Sequence, residues 1–232
     1  MNVVSFGVWG NATCYNYGVL ENAIIIKDKL PDYECWVYHN NSLPKQIEEL
    51  LKKVGNVHLF HMNDTNDKRN TMWRFMPAFD KRVNICLVRD ADSRIEEKEL
   101  KAVEEWLASD KDFHIMRDHP MHKRKILAGM WGCRNQILVH IFNNFLEYIK
   151  VPYLKSNWIV DETYLTNHIY PRVVKKAFVH ASYNRYEKNA RPFPKIENHG
   201  KYIGSVTNRL SVARKQFPES KLPKKLFKKR SG

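Results

Sequence analysis

The sequence has few cysteines, and it has no run of apolar residues long enough to span a bilayer. Its first six residues carry neither the basic region nor the cleavage site of a signal peptide, and they predict a first strand instead. The four cysteines, Cys14, Cys35, Cys86 and Cys133, are scattered without metal-ligand spacing. Two of them lie in predicted strands, which favours buried thiols in a reducing compartment. We therefore expect a cytoplasmic protein without a transmembrane segment.

Linkers and acidic residues are also scarce. No Gly/Ser-rich or charged segment divides the middle of the 232-residue chain, which is 43% hydrophobic, so we expect one domain over residues 1–215. The 25 Asp and Glu residues are outnumbered by 39 Lys and Arg residues, and the net charge is +14. Residues 216–232 are expected to form a mobile basic tail, with Lys221, Lys224, Lys225, Lys228, Lys229 and Arg230. Such a tail can contact nucleic acid or an anionic membrane surface, or remain solvated.

One segment combines a buried strand with a pair of acids. Residues 83–88 are mostly apolar, and so short a run predicts a strand rather than a helix. Asp90 and Asp92 follow directly, at the edge of the sheet where ligands bind in open α/β folds. Two carboxylates so close repel each other unless a cation lies between them, and Mg²⁺ or Mn²⁺ also leaves positions for phosphate oxygens. A polar loop after a strand is the alternative explanation of so short a motif.

Strand and helix patterns alternate along the chain, which predicts an α/β, Rossmann-like and mainly parallel sheet flanked by helices. Glycines and aromatics after the first strand, among them Gly7, Trp9 and Tyr15, suit a nucleotide site or an ordinary turn with core aromatics. A short helix over residues 71–77 is expected to pack under the site. The other predicted helices cover residues 19–29, 44–54, 95–109, 136–150 and 161–170, the last of them ended by Pro171. The predicted strands cover residues 2–8, 33–39, 57–61, 83–88, 113–116 and 177–180.

Four motifs occur in a distinctive order: Arg89-Asp90-Ala91-Asp92-Ser93-Arg94, Phe113-His114-Ile115-Met116-Arg117-Asp118-His119-Pro120, Gly129-Met130-Trp131-Gly132 and Asp161-Glu162-Thr163-Tyr164-Leu165. This order resembles the small GT-A-fold glycosyltransferases, in particular the short ones of large DNA viruses and some bacteria. A more distant similarity is to glycogenin and the bacterial galactosyltransferases. The resemblance covers most of the chain. It implies a GT-A-like fold, a nucleotide-sugar donor and, for a viral protein, the host cytoplasm.

The resemblance also implies roles for single residues. Asp90 and Asp92 match the family's ligands for the metal and the diphosphate, and His180 best matches a third metal ligand, with a core histidine as an equal alternative. Gly129 and Trp131 match a sugar-facing turn, although a core tryptophan is possible, and Ala128 departs from the family, which has a second glycine there. The residues expected to bind the donor are Phe6, Gly7, Trp9, Tyr15, Arg74, Arg89, Asp90, Arg117, Gly129, Met130 and Trp131.

Three acids are candidates for catalysis. The resemblance implies that Asp161 contacts the reacting sugars and that Glu162 lies near the anomeric carbon, but at a helix start both can simply cap the helix. An inverting reaction needs a carboxylate base for the acceptor hydroxyl, for which Asp161 is the first choice and Asp118 the second. In a retaining reaction Glu162 would lie beneath the anomeric carbon. A structural pair of Arg117 with Asp118 is the alternative role for the third acid.

These patterns favour a metal-dependent hexosyltransferase that moves a sugar from a UDP-linked donor to a hydroxyl of a glycan or glycoprotein, with Mn²⁺ or Mg²⁺ as cofactor. The rival hypothesis is a non-enzymatic nucleic-acid-binding protein that uses the basic surface and tail. A continuous basic stripe with interleaved aromatics would favour that rival, but the basic tail stands apart from the aromatic and acidic motifs. A metal-dependent phosphodiesterase would need more His and Asp ligands than lie near Asp90 in the sequence.

Overall fold

The structure is a computed structural model that describes residues 1–63, 68–134, 137–151, 159–196, 202–207, 209–223 and 226. Its strands are β1 (Asn2–Val8), β2 (Tyr33–His39), β3 (Val57–His61), β4 (Ile85–Arg89), β5 (Phe113–Arg117), β6 (Met130–Arg134) and β7 (Ala177–Ala181). They form one seven-stranded sheet in the order β3-β2-β1-β4-β6-β5-β7. Strand β6 runs antiparallel to β4 and β5, and the other neighbouring pairs are parallel.

Helices cover both faces of this sheet. The α-helices of the described residues are α1 (Thr13–Lys29), α2 (Lys45–Val54), α3 (Glu97–Leu107), α4 (Phe142–Lys150), α5 (Val160–Tyr164), α6 (Tyr170–Val173) and α7 (Ser211–Gln216). The 3₁₀ helices are Lys68–Phe79, Val139–Ile141 and Val174–Lys176, and Leu165–Ile169 forms a π-helical turn. Helix α2 illustrates how the local sequence sets a helix and its end. Its buried residues recur at helical spacing, and Gly55, with a φ of 96°, ends it in the left-handed conformation.

Two hydrophobic cores lie on the two faces of the sheet, as the alternation of side chains along a strand requires. In β1, Val4, Phe6 and Val8 pack with α1 and α2. Val3, on the opposite face, packs with the 3₁₀ helix Lys68–Phe79, α4 and α5. The α/β, Rossmann-like and mainly parallel sheet flanked by helices is therefore confirmed. The four cysteines are buried, as predicted, and none forms a disulfide within the described residues.

Two local predictions differ from the structure. Residues 130–134, expected to begin in a turn, form the antiparallel strand β6, which is inserted between β4 and β5. The helix expected over residues 161–170 begins at Val160, widens into a π-helical turn and continues past Pro171. Pro171 directly follows the π-helical turn, as the second residue of α6, and it does not end the helical segment.

The segment after residue 202 returns to the body of the protein. The backbone N–H groups of Val212 and Ala213 in α7 donate to the Glu21 carboxylate of α1. Within the predicted tail, Leu226 is buried in a small cluster with Cys14, and Leu222 packs against that cluster. The basic residues Lys224, Lys225, Lys228, Lys229 and Arg230 lie outside the described residues. In the described part of the chain, no helix has the length and hydrophobicity needed to cross a bilayer.

Candidate active site

A buried arginine joins two carboxylates where strand β4 ends. Arg74 lies in the 3₁₀ helix Lys68–Phe79, whose apolar residues, such as Met72 and Phe75, pack on the sheet. Its Nη1 donates to Oδ1 of Asp90 at 2.5 Å, and its Nη2 donates to Oδ2 of Asp161 at 2.9 Å. Asp90 directly follows β4, and Asp161 is in the first turn of α5. The guanidinium therefore connects three segments that are far apart in sequence.

The two carboxylates favour the charged form of Arg74. The side chains of Arg74 and Asp161 are only 9% and 7% exposed, whereas that of Asp90 is 38% exposed. Burial acts to lower the pKa of Arg74, but Asp90 and Asp161 outweigh that effect and raise the pKa overall. A fully charged guanidinium thus relieves the repulsion between the two carboxylates. The cluster has a buried side at Asp161 and a solvent-facing side at Asp90.

Gly129 makes room for Asp90. A Cβ atom added at residue 129 would lie 2.2 Å from Oδ2 of Asp90 and 2.7 Å from its backbone nitrogen. Any larger residue would therefore displace the carboxylate. The resemblance gave this glycine a role in admitting the donor, but in this structure the atoms closest to Gly129 belong to Asp90.

The late acidic pair has two different environments. Oδ1 of Asp161 accepts the backbone N–H of Glu162 at 2.8 Å, so both oxygens of Asp161 are engaged. Glu162 forms an ion pair with Nε of Arg124 at 3.2 Å, and its side chain is 21% exposed. Burial, followed by the charge of Asp161, raises the pKa of Glu162 to about 7 against the opposing effect of Arg124. Glu162 can therefore gain or lose a proton near neutral pH, as a general base must.

Asp92, after β4, and Asp118, after β5, are both buried. The backbone carbonyl of Asp92 accepts the N–H of Thr207 at 3.0 Å. Asp118 accepts hydrogen bonds from Lys98 at 2.6 Å, from the Ser182 hydroxyl at 2.6 Å and from the backbone N–H of Ile203 at 2.9 Å. With these three donors, Asp118 ties α3, the end of β7 and the segment 202–207 to the end of β5.

The structure does not bring His180 to Asp90 and Asp92. His180 is level with Arg89 across the sheet, but three strands away, which is about 14 Å at ordinary strand spacing. Its Nδ1 lies 2.8 Å from Nε2 of His114, and its Nε2 lies 3.0 Å from Oε2 of Glu105. Burial lowers the pKa of both histidines. This placement matches the alternative that the sequence left open, in which His180 is a core histidine.

Five residues expected to bind the donor lie in the interior instead: Phe6, Arg89, Arg117, Met130 and Trp131. Arg89 forms a buried ion pair with Glu99, and Arg117 forms one with Glu187. The structural partner of Arg117 is therefore Glu187 and not its sequence neighbour. The Trp131 ring stacks on Phe113 with centroids 5.3 Å apart, so it is a core side chain and has no face for a sugar.

Three other residues of the expected donor set lie in β1 or just after it, beside the 3₁₀ helix that carries Arg74. Lys68 lies over the Trp9 ring, 4.9 Å from its centroid. Tyr15 is close enough to Arg74 to raise its pKa. Gly7 packs against the backbone of Arg74, with 3.6 Å between a Cβ built at residue 7 and the Arg74 nitrogen. These three residues of the expected donor set therefore lie in the same part of the structure as Arg74, a fourth member of that set.

Sequence reasoning missed Arg124 and His122 as residues of this site. The signal for Arg124 was the basic run at residues 123–125, which gave no indication of its partner. His122 accepts the backbone N–H of Asp118 at its Nδ1, 3.0 Å away. Burial and the neighbouring His119 lower the pKa of His122 to about 4, so the ring is neutral at pH 7. Its effect on local charge is therefore small, in contrast to that of Arg124.

No group of three or more His, Cys, Asp or Glu side chains among the described residues lies close enough together to hold a metal ion. Mg²⁺, however, is commonly bound by one or two carboxylates together with substrate phosphates and water. Asp90 suits that mode because its side chain is partly exposed and carries a hard oxygen donor. Asp90 therefore offers a single carboxylate ligand to a cation that arrives with a diphosphate.

Two cavities lie apart from the carboxylates. One, of about 770 Å³, is lined by aromatic and apolar residues of β2, β3 and the 3₁₀ helix Lys68–Phe79, together with His61, Asp80, Lys81 and Arg82. The other, of about 420 Å³, is lined by Asn40, Asn41, Ser42, His61, Met62 and Asn63 at the ends of β2 and β3. We place the candidate site at the carboxylates because charge and titration near neutral pH converge there.

No protein-family model matches the sequence, and no curated protein matches it significantly. Among solved structures, 4-diphosphocytidyl-2C-methyl-D-erythritol synthase from Anaerococcus prevotii is 13% identical, with a TM-score of 0.47 and coverage of 82% of this chain and 92% of that one. TarS of S. aureus is 12% identical, with a TM-score of 0.46 and coverage of 72% and 54%.

Glucosyl-3-phosphoglycerate synthase from Mycobacterium tuberculosis, in complex with Mg²⁺ and uridine diphosphate, is also 12% identical. Its TM-score is 0.41, and the similarity covers 60% of this chain and 57% of that one. The chain thus spans little more than half of the last two structures. At these identities and TM-scores the similarity concerns the general fold and says nothing about the reaction.

Proposed function

We propose that the chain is a glycosyltransferase that moves a sugar from a nucleotide diphosphate, UDP in the first instance, to a hydroxyl of a glycan or glycoprotein. The observation that carries the proposal is the cluster at the end of β4, in which Arg74 bridges Asp90 and Asp161 beside Glu162. Ligands of open α/β sheets bind at the carboxyl ends of the strands, where this cluster lies. The ordered motifs of the sequence support the same reaction class.

The residues of the cluster have complementary roles in this proposal. Arg74 and Arg124 supply positive charge toward the diphosphate, for which the planar guanidinium is well suited. Asp90 would hold Mn²⁺ or Mg²⁺. A bound divalent ion would supply neutralisation of the charge that develops on the leaving diphosphate oxygen. Asp161 holds Arg74 in place from the buried side of the cluster.

Glu162 is our first candidate for the base, and Asp161 becomes the second. The acceptor oxygen forms a bond to the anomeric carbon while the bond from that carbon to the diphosphate oxygen breaks, and its electron pair stays on the diphosphate. The proton of the acceptor hydroxyl passes to the ionised Glu162 carboxylate. A pKa of about 7 leaves much of Glu162 ionised at neutral pH and still basic enough to accept a proton.

A binding screen followed by a transfer assay tests the proposal. Melting curves are recorded with UDP-sugars, GDP-sugars and CDP-alcohols, each with and without Mn²⁺, because a ligand of the native state raises the apparent stability. We expect a UDP-sugar with Mn²⁺ to raise the melting temperature and to release UDP when acceptor glycans are added. Stabilisation by RNA oligonucleotides alone, with no response to any sugar nucleotide, would favour the nucleic-acid-binding hypothesis instead.

A further inference from the structure

We propose that the acceptor of this chain is an anionic glycan, held beside the candidate site by basic and aromatic residues of two loops. The first loop, residues 118–125, follows β5, and the second, residues 182–188, follows β7. Strands β4, β5 and β7 run in the same direction, so both loops leave the sheet at the edge where Asp90 follows β4. The inference rests on the proposed function for calling this glycan the acceptor.

The exposed charges of the two loops are all positive. The two acids of these loops, Asp118 and Glu187, are buried, and each is already paired, with Lys98 and Arg117 respectively. The exposed basic residues are Lys123, Arg124, Arg185 and Lys188. A surface with one sign of exposed charge attracts ligands of the opposite sign, and a guanidinium matches the geometry of carboxylate and phosphate groups.

Exposed aromatic rings lie on the same loops. Tyr183 is 50% exposed and Tyr186 is 42% exposed. Tyr202, which is 37% exposed, joins them from the segment 202–207, because its ring lies against His119 with the centroids 4.2 Å apart. Large apolar side chains grouped at the surface mark binding sites, and an aromatic ring offers a flat apolar face to the C–H groups of a sugar ring.

Hydrogen bonds join the two loops to each other. Nδ2 of Asn184 donates to the carbonyl oxygens of Pro120 and His122, both at 3.0 Å. The Tyr186 hydroxyl donates to the carbonyl oxygen of Lys123 at 2.8 Å. The backbone of Asn184 has a φ of 49°, in the left-handed region that asparagine tolerates. The surface is thus assembled before a ligand arrives, which lowers the entropic cost of binding.

The loops also border the candidate base. Nε of Arg124 lies 3.2 Å from the Glu162 carboxylate, and His122 is close enough to Asp90 for that acid to influence its pKa. A nucleic acid carries a phosphate on every residue, and a strand that crossed these carboxylates would meet like charges. A glycan can instead place a neutral hydroxyl at Glu162 and its acid groups at the exposed bases. The geometry therefore favours an anionic glycan over a nucleic acid.

The test titrates the protein by calorimetry with two anionic glycans, in the absence of any sugar nucleotide. Tetragalacturonate carries carboxylates, and pentamannose phosphate carries a phosphate monoester. The methyl ester of the first and the dephosphorylated form of the second are the neutral controls. We expect at least one anionic probe to bind about tenfold tighter than its neutral form in about 50 mM salt, and less so in about 500 mM salt, because salt screens exposed charges. The probe that binds identifies the acid group.

The double variant Lys123→Gln/Arg185→Gln should weaken binding of the preferred anionic probe about fivefold, since exposed charge pairs are individually weak but two are removed. Lys53→Gln/Lys175→Gln is the matched control. It removes the same charge from two exposed lysines that precede β3 and β7, at the opposite edge of the sheet, and it should change the affinity less than about twofold. Tyr183→Ala should weaken the anionic and the neutral forms by the same factor.

Equal affinity for the anionic and neutral forms of both probes would overturn the inference, as would equal losses in the double variant and its control. An oligouridylate that binds more tightly than both anionic glycans, and loses affinity in Lys123→Gln/Arg185→Gln, would also overturn it and assign the surface to nucleic acid. These titrations contain no sugar nucleotide. Their failure is therefore distinguishable from failure of the proposed function, which would appear as the lack of any response to sugar nucleotides.

Discussion

Replacing Glu162 by Gln should raise stability at alkaline pH and abolish most of the transfer activity. The pKa of Glu162 is raised from 4.5 to about 7, chiefly by burial. The native state therefore binds this proton more tightly than the unfolded state does. Stability from this group is complete below about pH 4.5, and it is lost as the pH rises through 7. The difference in pKa corresponds to at most about 3 kcal/mol above pH 7.

Gln cannot ionise, so the variant escapes this penalty. At pH 8 we expect Glu162→Gln to be more stable than the wild type by up to about 3 kcal/mol, or roughly 6–12 °C in melting temperature. At pH 4.5 the two proteins should melt at nearly the same temperature. Turnover should fall by about 10²–10⁴-fold, the usual contribution of a general base. If Glu162 only caps the helix, its replacement by Gln should instead lower the free energy of unfolding by about 0.3–1 kcal/mol and leave the transfer rate unchanged.

The assay combines melting curves at pH 4.5 and pH 8 with single-turnover transfer from a saturating donor. Glu97→Gln is the matched control, because Glu97 is an exposed acid in the first turn of α3. It should change neither the rate nor the pH dependence of melting appreciably. The reasoning is refuted if Glu162→Gln transfers at the wild-type rate, or if it is less stable than the wild type at both pH values.

Three further predictions concern the surroundings of the site. Gly129→Ala should weaken binding of UDP with Mn²⁺ in calorimetric titrations, because its Cβ would meet Asp90 at 2.2 Å, whereas Ala128→Gly should not; equal affinities would contradict this. Asp118→Asn should lower the unfolding free energy by about 3 kcal/mol, because it breaks a buried pair with Lys98, and should leave turnover per folded molecule unchanged. Lost turnover at an unchanged melting temperature would make Asp118 catalytic. Leu226→Ala should lower the unfolding free energy by about 2–5 kcal/mol, because the Leu226 side chain is only 1% exposed. Denaturant titrations measure this change, and an unchanged midpoint would mean that the tail contributes nothing to stability.

Much of the sheet could be predicted because its signals are local. Short apolar runs bounded by polar residues predicted six of the seven strands that the structure contains. Strand β6 was missed because Gly129 and Gly132 suggested a turn. Gly132 lies close to Cys86 and Trp106, so glycine is used here for close packing inside the sheet rather than for chain reversal.

Pairing between distant residues could not be predicted from these signals. Arg74 is 16 residues from Asp90 and 87 from Asp161, and no spacing rule links the three. Trp131 and Arg89 are residue types that often bind ligands, so the sequence alone suggested a binding role for both. Only the register of β6 beside β4 shows that Trp131 lies opposite Val88 in the interior and that Arg89 donates to its carbonyl.

The sequence by itself determined the alternation of strands and helices, and with it the position of Asp90 at the end of a strand. Both follow from the spacing of hydrophobic residues, which is a local property of each segment of the sequence. The tertiary structure alone decided which charges meet. Because β5 and β7 are neighbours in the sheet, His180 lies beside His114. The pKa of Glu162 is set where α5, the 3₁₀ helix Lys68–Phe79 and the basic loop at 123–125 come together. Burial and Coulomb interactions depend on distance in space, and that distance exists only once the chain has folded.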